Sequence, residues 1–323
     1  MHFVRTFMVM TMLVVSTAAS AWNNSGHMMV AAVAWAQLEE LTKTRAIELL
    51  KRNPNYKEWP KYKGWMKDVP KADRDKATFI IAATWPVFLR DIAKKPEHAG
   101  PDDYVDDGSD PDEATNANND VRYQDKMLHR YWHFVDLPFS RDGTALEQPK
   151  KPTALTQIII FRDTIATHTA DDDVKSYDLV WLLHLVGDVH QPLHATARFS
   201  QEAPQGDRGG NDIRLCDEDE CEKNLHSFWD QAAGIGTRIK EIMEAADDLD
   251  EPAAEKLEIS DPQKWIEESF EIAKASVYKK PIGAGNGAFT ITRAYKKSAR
   301  AIAEDRIALG GARLGKLLNQ FLR

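Results

Sequence analysis

Apolar residues recur every three to four positions over most of the chain, which predicts a mainly α protein. The first such stretch starts near Gly26, with Met28, Val30, Ala31, Val33, Ala34 and Leu38 in register and Ser25 or Gly26 as its cap. A second helix is predicted over 43–52, ended by Asn53-Pro54-Asn55. A third covers 72–93 and is interrupted by Pro86. Further helices are expected over 154–168, 177–189, 225–233, 237–246, 262–278 and 288–321. Residues 212–215, after the turn Asp207-Arg208-Gly209-Gly210-Asn211, read as extended and as one strand of a short β-hairpin. From 94 to 119 the composition shifts to Asp, Pro, Gly and Asn, the signature of an inserted, solvated loop. Asp106, Asp107, Asp110 and Asp112 in it lack the register of an EF-hand, so a plain acidic loop is expected. No repeat and no long linker divides the chain, which predicts a single-domain multi-helix fold.

The amino-terminal stretch changes the address but not the fold. Arg5, an apolar run from Thr6 to Val15 and then Ala19-Ser20-Ala21 read as a signal peptide over 1–21. Cleavage would make Trp22 the first residue and the protein secreted or periplasmic. The formal charge is −8, and cleavage removes Arg5. That balance argues against a broad basic surface gripping duplex DNA, though not against a nucleic-acid enzyme whose positive charge sits in bound metal. Cys216 and Cys221 are expected to close one small disulfide in an exported chain.

The candidate chemistry lies in His184-Leu185-Val186-Gly187-Asp188-Val189-His190-Gln191-Pro192-Leu193-His194. His184 and Asp188 stand four apart, hence on one helical face. Pro192 ends that helix and lets His194 turn toward the same cavity. A second pair at the same spacing, His226 and Asp230, follows in Asn224-Leu225-His226-Ser227-Phe228-Trp229-Asp230. A lone pair of this kind is usually a surface hydrogen bond. Two pairs in apolar surroundings need compensation for buried polar groups, and a cation supplies it. His133, in Tyr131-Trp132-His133-Phe134-Val135-Asp136, is a further ligand candidate. His98, His129 and His168 are left out of the set.

These motifs, with Trp22 through His27 and Gly310 through Asn319, resemble the zinc-dependent single-strand-specific nucleases of the S1/P1 type over nearly the whole mature chain. The resemblance implies the three-zinc nuclease/phospholipase C fold and three Zn(II) ions. One ion would take His133, His184 and Asp188. A second would take His194, His226 and Asp230. The third would use the amine and carbonyl oxygen of Trp22, with His27 and a bridging Asp188. The implied activity is endonucleolytic hydrolysis of single-stranded DNA and RNA to 5′-phosphorylated products, with 3′-nucleotides as further substrates. Asp188 would help hold the attacking hydroxide, Arg90 or Lys94 would steady the phosphate, and Phe134 and Asp136 would bind a base. No stable protein partner and no membrane span in the mature chain are implied.

The sequence departs from that pattern at Val87, where the family carries a ligand aspartate. Asp91, one helical turn further on, is the expected substitute. Two rival functions follow: a three-zinc phospholipase C of similar ligand order, or a catalytically weak zinc-binding protein, for which Val87 is the motive. His190 is expected to orient a ligand carboxylate.

Overall fold

The computed structural model describes residues 22–93, 104–108, 122–217, 220–234, 236 and 238–322. The stretch 1–21, Lys94, His98 and most of the acidic insertion lie outside these residues. In chain order the helices are α1 (Asn24–Gln37), α2 (Glu40–Leu50), α3 (Arg74–Ala82), α4 (Trp85–Ala93), α5 (Ala154–Ala166), α6 (Asp172–Asp188), α7 (Leu225–Asp230), α8 (Ile239–Asp247), α9 (Ala254–Leu257), α10 (Pro262–Ile272) and α11 (Arg293–Phe321). The strands are β1 (Leu137–Ser140), β2 (Thr196–Phe199), β3 (Arg214–Asp217), β4 (Glu220–Asn224) and β5 (Phe289–Thr290). The architecture is mainly α, as expected.

Helix α6 is the centre. Every residue from Val174 to Asp188 is buried, so it is covered on all sides. Its start is well specified: Asp171 caps the amide of Asp173, and Asp172 and Asp173 complement the helix dipole. Arg45 on α2 pairs with Asp172, and Arg52 just beyond α2 pairs with Asp173 at 2.8 Å. Helices α1, α2, α4, α5 and α11 pack around it. Each fully buried Leu, Val or Trp of α6 contributes about 1.5–3 kcal/mol from apolar area removed from water.

Helix α11 is about 44 Å long and lies along α1. The two backbones meet at Gly311, where a Cβ would stand 2.5 Å from Val33 Cβ and 2.7 Å from the Val30 carbonyl oxygen. β1 and β2 pair in parallel, from Leu137 against Thr196 to Ser140 against Phe199. β3 and β4 form the hairpin, with β5 beside β3 in parallel. Cys216 and Cys221 are joined by a disulfide across it.

Several boundaries differ from the sequence reading, each for a local reason. Helix α1 is capped by the Asn23 side chain on the Gly26 amide, not by Ser25 or Gly26. The helix expected over 72–93 is two helices. Its break falls at Ala83-Thr84, and Pro86 is the second residue of α4, where its missing N–H costs nothing. The helix expected from 177 begins at Asp172. The one expected from 288 begins at Arg293, because Phe289 and Thr290 are drawn into the sheet. The helix expected over 262–278 is α10 followed by a π-helical turn, Ala273–Val277. The β1–β2 pair was not foreseen, since four-residue strands leave almost no alternation to read.

The described part of the acidic insertion is anchored rather than freely solvated. Tyr104 meets Trp85 edge-on, and Asp106 pairs with Arg130 at 2.9 Å. Asp107 and Asp125 flank the buried His129, with Asp107 Oδ2 3.3 Å from Nδ1. Burial opposes charge on this imidazole, but the two carboxylates outweigh it and raise its pKa above the ordinary 6.5.

Two outcomes test this description. Gly311→Val should destabilise the fold by about 2–3 kcal/mol, read from urea unfolding, because neither the Val30 carbonyl nor Val33 can yield without parting α1 from α11. The ion pairs of His129 contribute fully below pH 6.5 and fade as pH rises through its raised pKa. The stability gap between wild type and His129→Gln should therefore be widest at pH 5.5–6 and narrow at alkaline pH. A gap that does not change with pH would contradict this assignment.

Candidate metal centre

Five elements end at one point. The C-terminal turn of α6 brings His184 and Asp188. Beyond it Gln191 and Pro192 open a single 3-10 turn that carries His194. The turn before β1 carries His133, α7 carries His226 and Asp230, and the first turn of α1 carries His27. The β1–β2 pairing sets His133 beside His194: the Val135 amide donates to the His194 carbonyl at 2.8 Å, and His194 Nδ1 donates to the His133 carbonyl at 2.5 Å.

Asp188 is the hub. It is fully buried, and its two oxygens face different sides. Oδ1 lies 3.2 Å from His27 Nε2 and 4.0 Å from His194 Nδ1. Oδ2 lies 3.0 Å from His133 Nδ1 and 3.4 Å from His184 Nε2. His27, His184 and Asp188 form one group of ligand atoms, and His194, His226 and Asp230 form another. The rings of His27 and His184 stack at 3.6 Å.

The hydrogen bonds reveal where the ring protons are. His184 Nδ1 contacts the Ala83 carbonyl at 2.7 Å, His226 Nδ1 the Gly209 carbonyl at 2.7 Å, and His194 Nδ1 the His133 carbonyl. A carbonyl only accepts, so each of these Nδ1 atoms carries the proton and each Nε2 presents a lone pair. Two of these lone pairs meet, His194 Nε2 and His226 Nε2 at 3.1 Å, and the third, on His184 Nε2, lies 3.1 Å from His133 Nδ1. His27 Nδ1, His27 Nε2 and Asp188 Oδ1 are buried without a hydrogen bond. Burial, and secondarily the neighbouring imidazoles, drives the pKa of His27 and His133 far down; His184 falls to about 3. Burial likewise pushes Asp188 and Asp230 far up. Converging lone pairs beside buried carboxylates leave a cation as the natural partner. The residues fit a metal centre.

Supporting residues hold these ligands. The break between α3 and α4 frees the Ala83 carbonyl for His184. Gly209 sits at φ +60, and a Cβ there would meet the Leu193 carbonyl oxygen at 2.6 Å, so only glycine brings its own carbonyl to His226. Gln191 donates to Asp230 Oδ1 at 2.7 Å, while its Oε1 accepts from the Leu193 amide. His190 does not touch a ligand carboxylate. Its Nδ1 donates to the Val186 carbonyl, and its Nε2 accepts from Arg313 at 3.1 Å. Arg306 and Arg313 are buried, and both pair with Glu268. This clamp fixes the turn between the two ligand groups. Gln191, Arg306 and Arg313 escaped the sequence reading.

Trp22 is fully buried beside the cluster. Its Nε1 donates to the Gly187 carbonyl at 2.9 Å, and the next amide, of Asn23, donates to the Asp230 carbonyl at 3.1 Å. Neither of these two groups of three includes His133 or Asp91. Val87 and Arg90 face the cleft there; Asp91 lies a full turn, about 6 Å, further along α4 and acts on the Arg90 charge.

The cluster lies at the floor of a cleft of about 520 Å³. Phe134, Asp136, Arg90, Arg130, Lys150 and Arg208 are among the side chains lining it. Burial lowers the Arg90 pKa, while Asp91, Asp230 and Asp188 support its charge. Asp136 has φ +53, and burial, then Asp207, pushes its carboxyl well above the usual range.

Fold and site together define a mainly α protein built around buried His/Asp groups that could hold metal. A family profile described as S1/P1 Nuclease matches residues 22–323, and the chain belongs to that family. It is 26% identical over 217 residues to "Endonuclease 3" of Arabidopsis thaliana, covering 58% of this chain and 68% of that protein. It is 32% identical over 160 residues to "Endonuclease 1" of Arabidopsis thaliana, covering 44% of this chain and 48% of that protein. Among the described residues, no helix is long and apolar enough to cross a membrane.

Gln191→Leu should weaken retention of a divalent ion by about 10- to 100-fold, measured by competition with a chelator, with the fold intact by circular dichroism. Retention equal to wild type would show that Asp230 needs no such support.

Proposed function

We propose that the protein is an exported, zinc-dependent endonuclease that cleaves single-stranded DNA and RNA to 5′-phosphorylated products and also accepts 3′-nucleotides. The observation that carries this reading is the convergence of unprotonated imidazole nitrogens on buried carboxylates at the floor of a cationic, aromatic-lined cleft. Membership of a nuclease family, and two relatives named endonucleases, support the reaction class.

His133, His184 and Asp188 would hold one zinc, His194, His226 and Asp230 a second, and Trp22, His27 and Asp188 a third. Bound zinc supplies Lewis acidity and lowers the pKa of water, the two requirements for attack on a phosphodiester. The protein's own groups do the rest. Arg90 stands over the carboxylates with its charge held by Asp91, where it meets the non-bridging oxygens and steadies negative charge. Arg130, Lys150 and Arg208 draw the flanking phosphates into the cleft. Phe134 offers a face to one unstacked base, and the Asp136 carboxyl meets the polar edge of that base. A base in a duplex presents no free face, which favours single strands. Val87 leaves the first position with three protein ligands, and Asp91 is left out of the set proposed here. Lys94 stays a candidate second phosphate contact.

The purified protein should carry three zinc ions by elemental mass spectrometry and cut single-stranded DNA and RNA far faster than duplex. Arg90→Ala should lower kcat/KM by about 10²-fold. Asp91→Ala should keep three zinc ions. Hydrolysis of phosphatidylcholine without cleavage of nucleic acid would overturn the proposal in favour of a phospholipase. Full zinc content without either activity would leave a binding protein.

A further inference from the structure

Two neighbouring residues, His129 and Arg130, are each held by an acid of the segment 104–108. That segment runs beside 126–128: the Val105 amide donates to the Lys126 carbonyl at 2.7 Å, and the Leu128 amide to the Val105 carbonyl at 3.0 Å. His129 then adopts φ 47 and ψ 48, a left-handed backbone uncommon for a residue with a side chain. The reversal buries its imidazole flat against Trp132, 3.6 Å between ring centres, and leaves Arg130 lining the cleft. Arg130 Nη1 donates to both Asp106 oxygens, at 2.9 and 3.3 Å. Among the described residues only that nitrogen is engaged, so Nε and Nη2 stay open to a phosphate.

The pair at Arg130 is too exposed to hold the segment by itself. The Asp106 side chain is 54% exposed, and ion pairs so placed contribute little. The contacts of His129 beside it are sheltered. Asp125 meets Nε2, and Asp107 Oδ2 lies 3.3 Å from Nδ1. Both Asp107 oxygens are shut off from water, and among the described residues the imidazole is the only cation within 4.0 Å of them. Tyr131 Oη also stands 3.3 Å from Nδ1. From α6, Tyr177 Oη reaches Asp125 Oδ2 at 3.5 Å, and Trp181 meets the ring edge-on. Tyr104, from the docked segment, is close to Asp125 as well. A charged imidazole donates at both nitrogens and satisfies Asp125 and Asp107 together. A neutral one has a single N–H. With that proton on Nε2 toward Asp125, Nδ1 accepts from Tyr131, and Asp107 faces a lone pair.

We propose that charged His129 is a positioning residue: it docks the segment 104–108, and Asp106 of that segment then fixes Arg130 at the cleft. The docking stands apart from the reaction, whereas what Arg130 meets rests on the nuclease reading above. Burial opposes the charge, but the two carboxylates raise the His129 pKa above 6.5. Docking is therefore complete below pH 6.5 and is lost as pH rises through that raised value. The 3-10 turn that begins at Arg130 ends at His133, so bracing of that imidazole is the rival role to exclude.

The test uses the metal-loaded holoenzyme. Hydrogen exchange of the Val105 and Leu128 amides is followed from about pH 6 to about pH 9, corrected for intrinsic rates. Protection should fall by about tenfold or more across that range in wild type. It should be low and independent of pH in Asp107→Asn. The same should hold in His129→Asn, whose side chain tolerates the left-handed turn. With a single-stranded oligothymidylate at about pH 6.5, Asp107→Asn should raise KM about 3- to 10-fold, with kcat and metal content within about twofold. In an Arg130→Gln background the same substitution should change KM by less than about twofold, because the two residues act in series. Protection that does not follow pH, or that survives Asp107→Asn, would overturn the proposal. So would a KM effect undiminished by Arg130→Gln. Loss of metal and of kcat with KM unchanged would assign His129 to the support of His133 and overturn it too. Docking that follows pH in a protein that hydrolyses no nucleic acid would overturn the nuclease reading and leave the docking role of His129 standing.

Discussion

The structure depends on one carboxylate kept away from water. Asp188 has no exposed surface, and four imidazoles from four different segments lie within 4.0 Å of it. Burial pushes this carboxyl toward its neutral form, and a cation among the neutral rings is what would let it stay ionised. The helices around α6 thus enclose a charge deficit, and the deficit defines what the protein must bind. The buried shell gives the ligands their geometry, and a cation bound among them would in turn make that shell tolerable.

Control of proton position is the second theme. Three histidines turn their protonated nitrogen toward a main-chain carbonyl and their lone pair toward the cluster. The carbonyls come from places where regular structure stops: a helix break at Ala83, the turn before β1 at His133, and a left-handed glycine at Gly209. Such ends have spare acceptors because no helical or ladder bond uses them. Irregular backbone is here the means by which imidazole tautomers are chosen. Behind it, Glu268 neutralises Arg306 and Arg313, and these hold His190 and the turn leading to Gln191.

Much of this was legible before any coordinates. The four-residue spacings of His184 with Asp188 and of His226 with Asp230 put each pair on one helical face, and both pairs lie in the centre. Their apolar flanks announced burial. The disulfide followed from two cysteines five residues apart. What could not be read was whatever depends on meeting partners distant in sequence. The β1–β2 pair needs strands almost sixty residues apart, and neither is long enough to show alternation. The clamp on His190 needs α10 and α11 to converge on one turn.

The burial of Trp22 has a practical corollary for handling the molecule. Its indole is locked to the Gly187 carbonyl, and Gly26 is packed so tightly under it that a methyl group there would clash at 2.8 Å. A group attached directly at this residue meets that packing. Affinity handles and reporter fusions therefore belong at the carboxyl end, beyond α11, rather than against the buried indole.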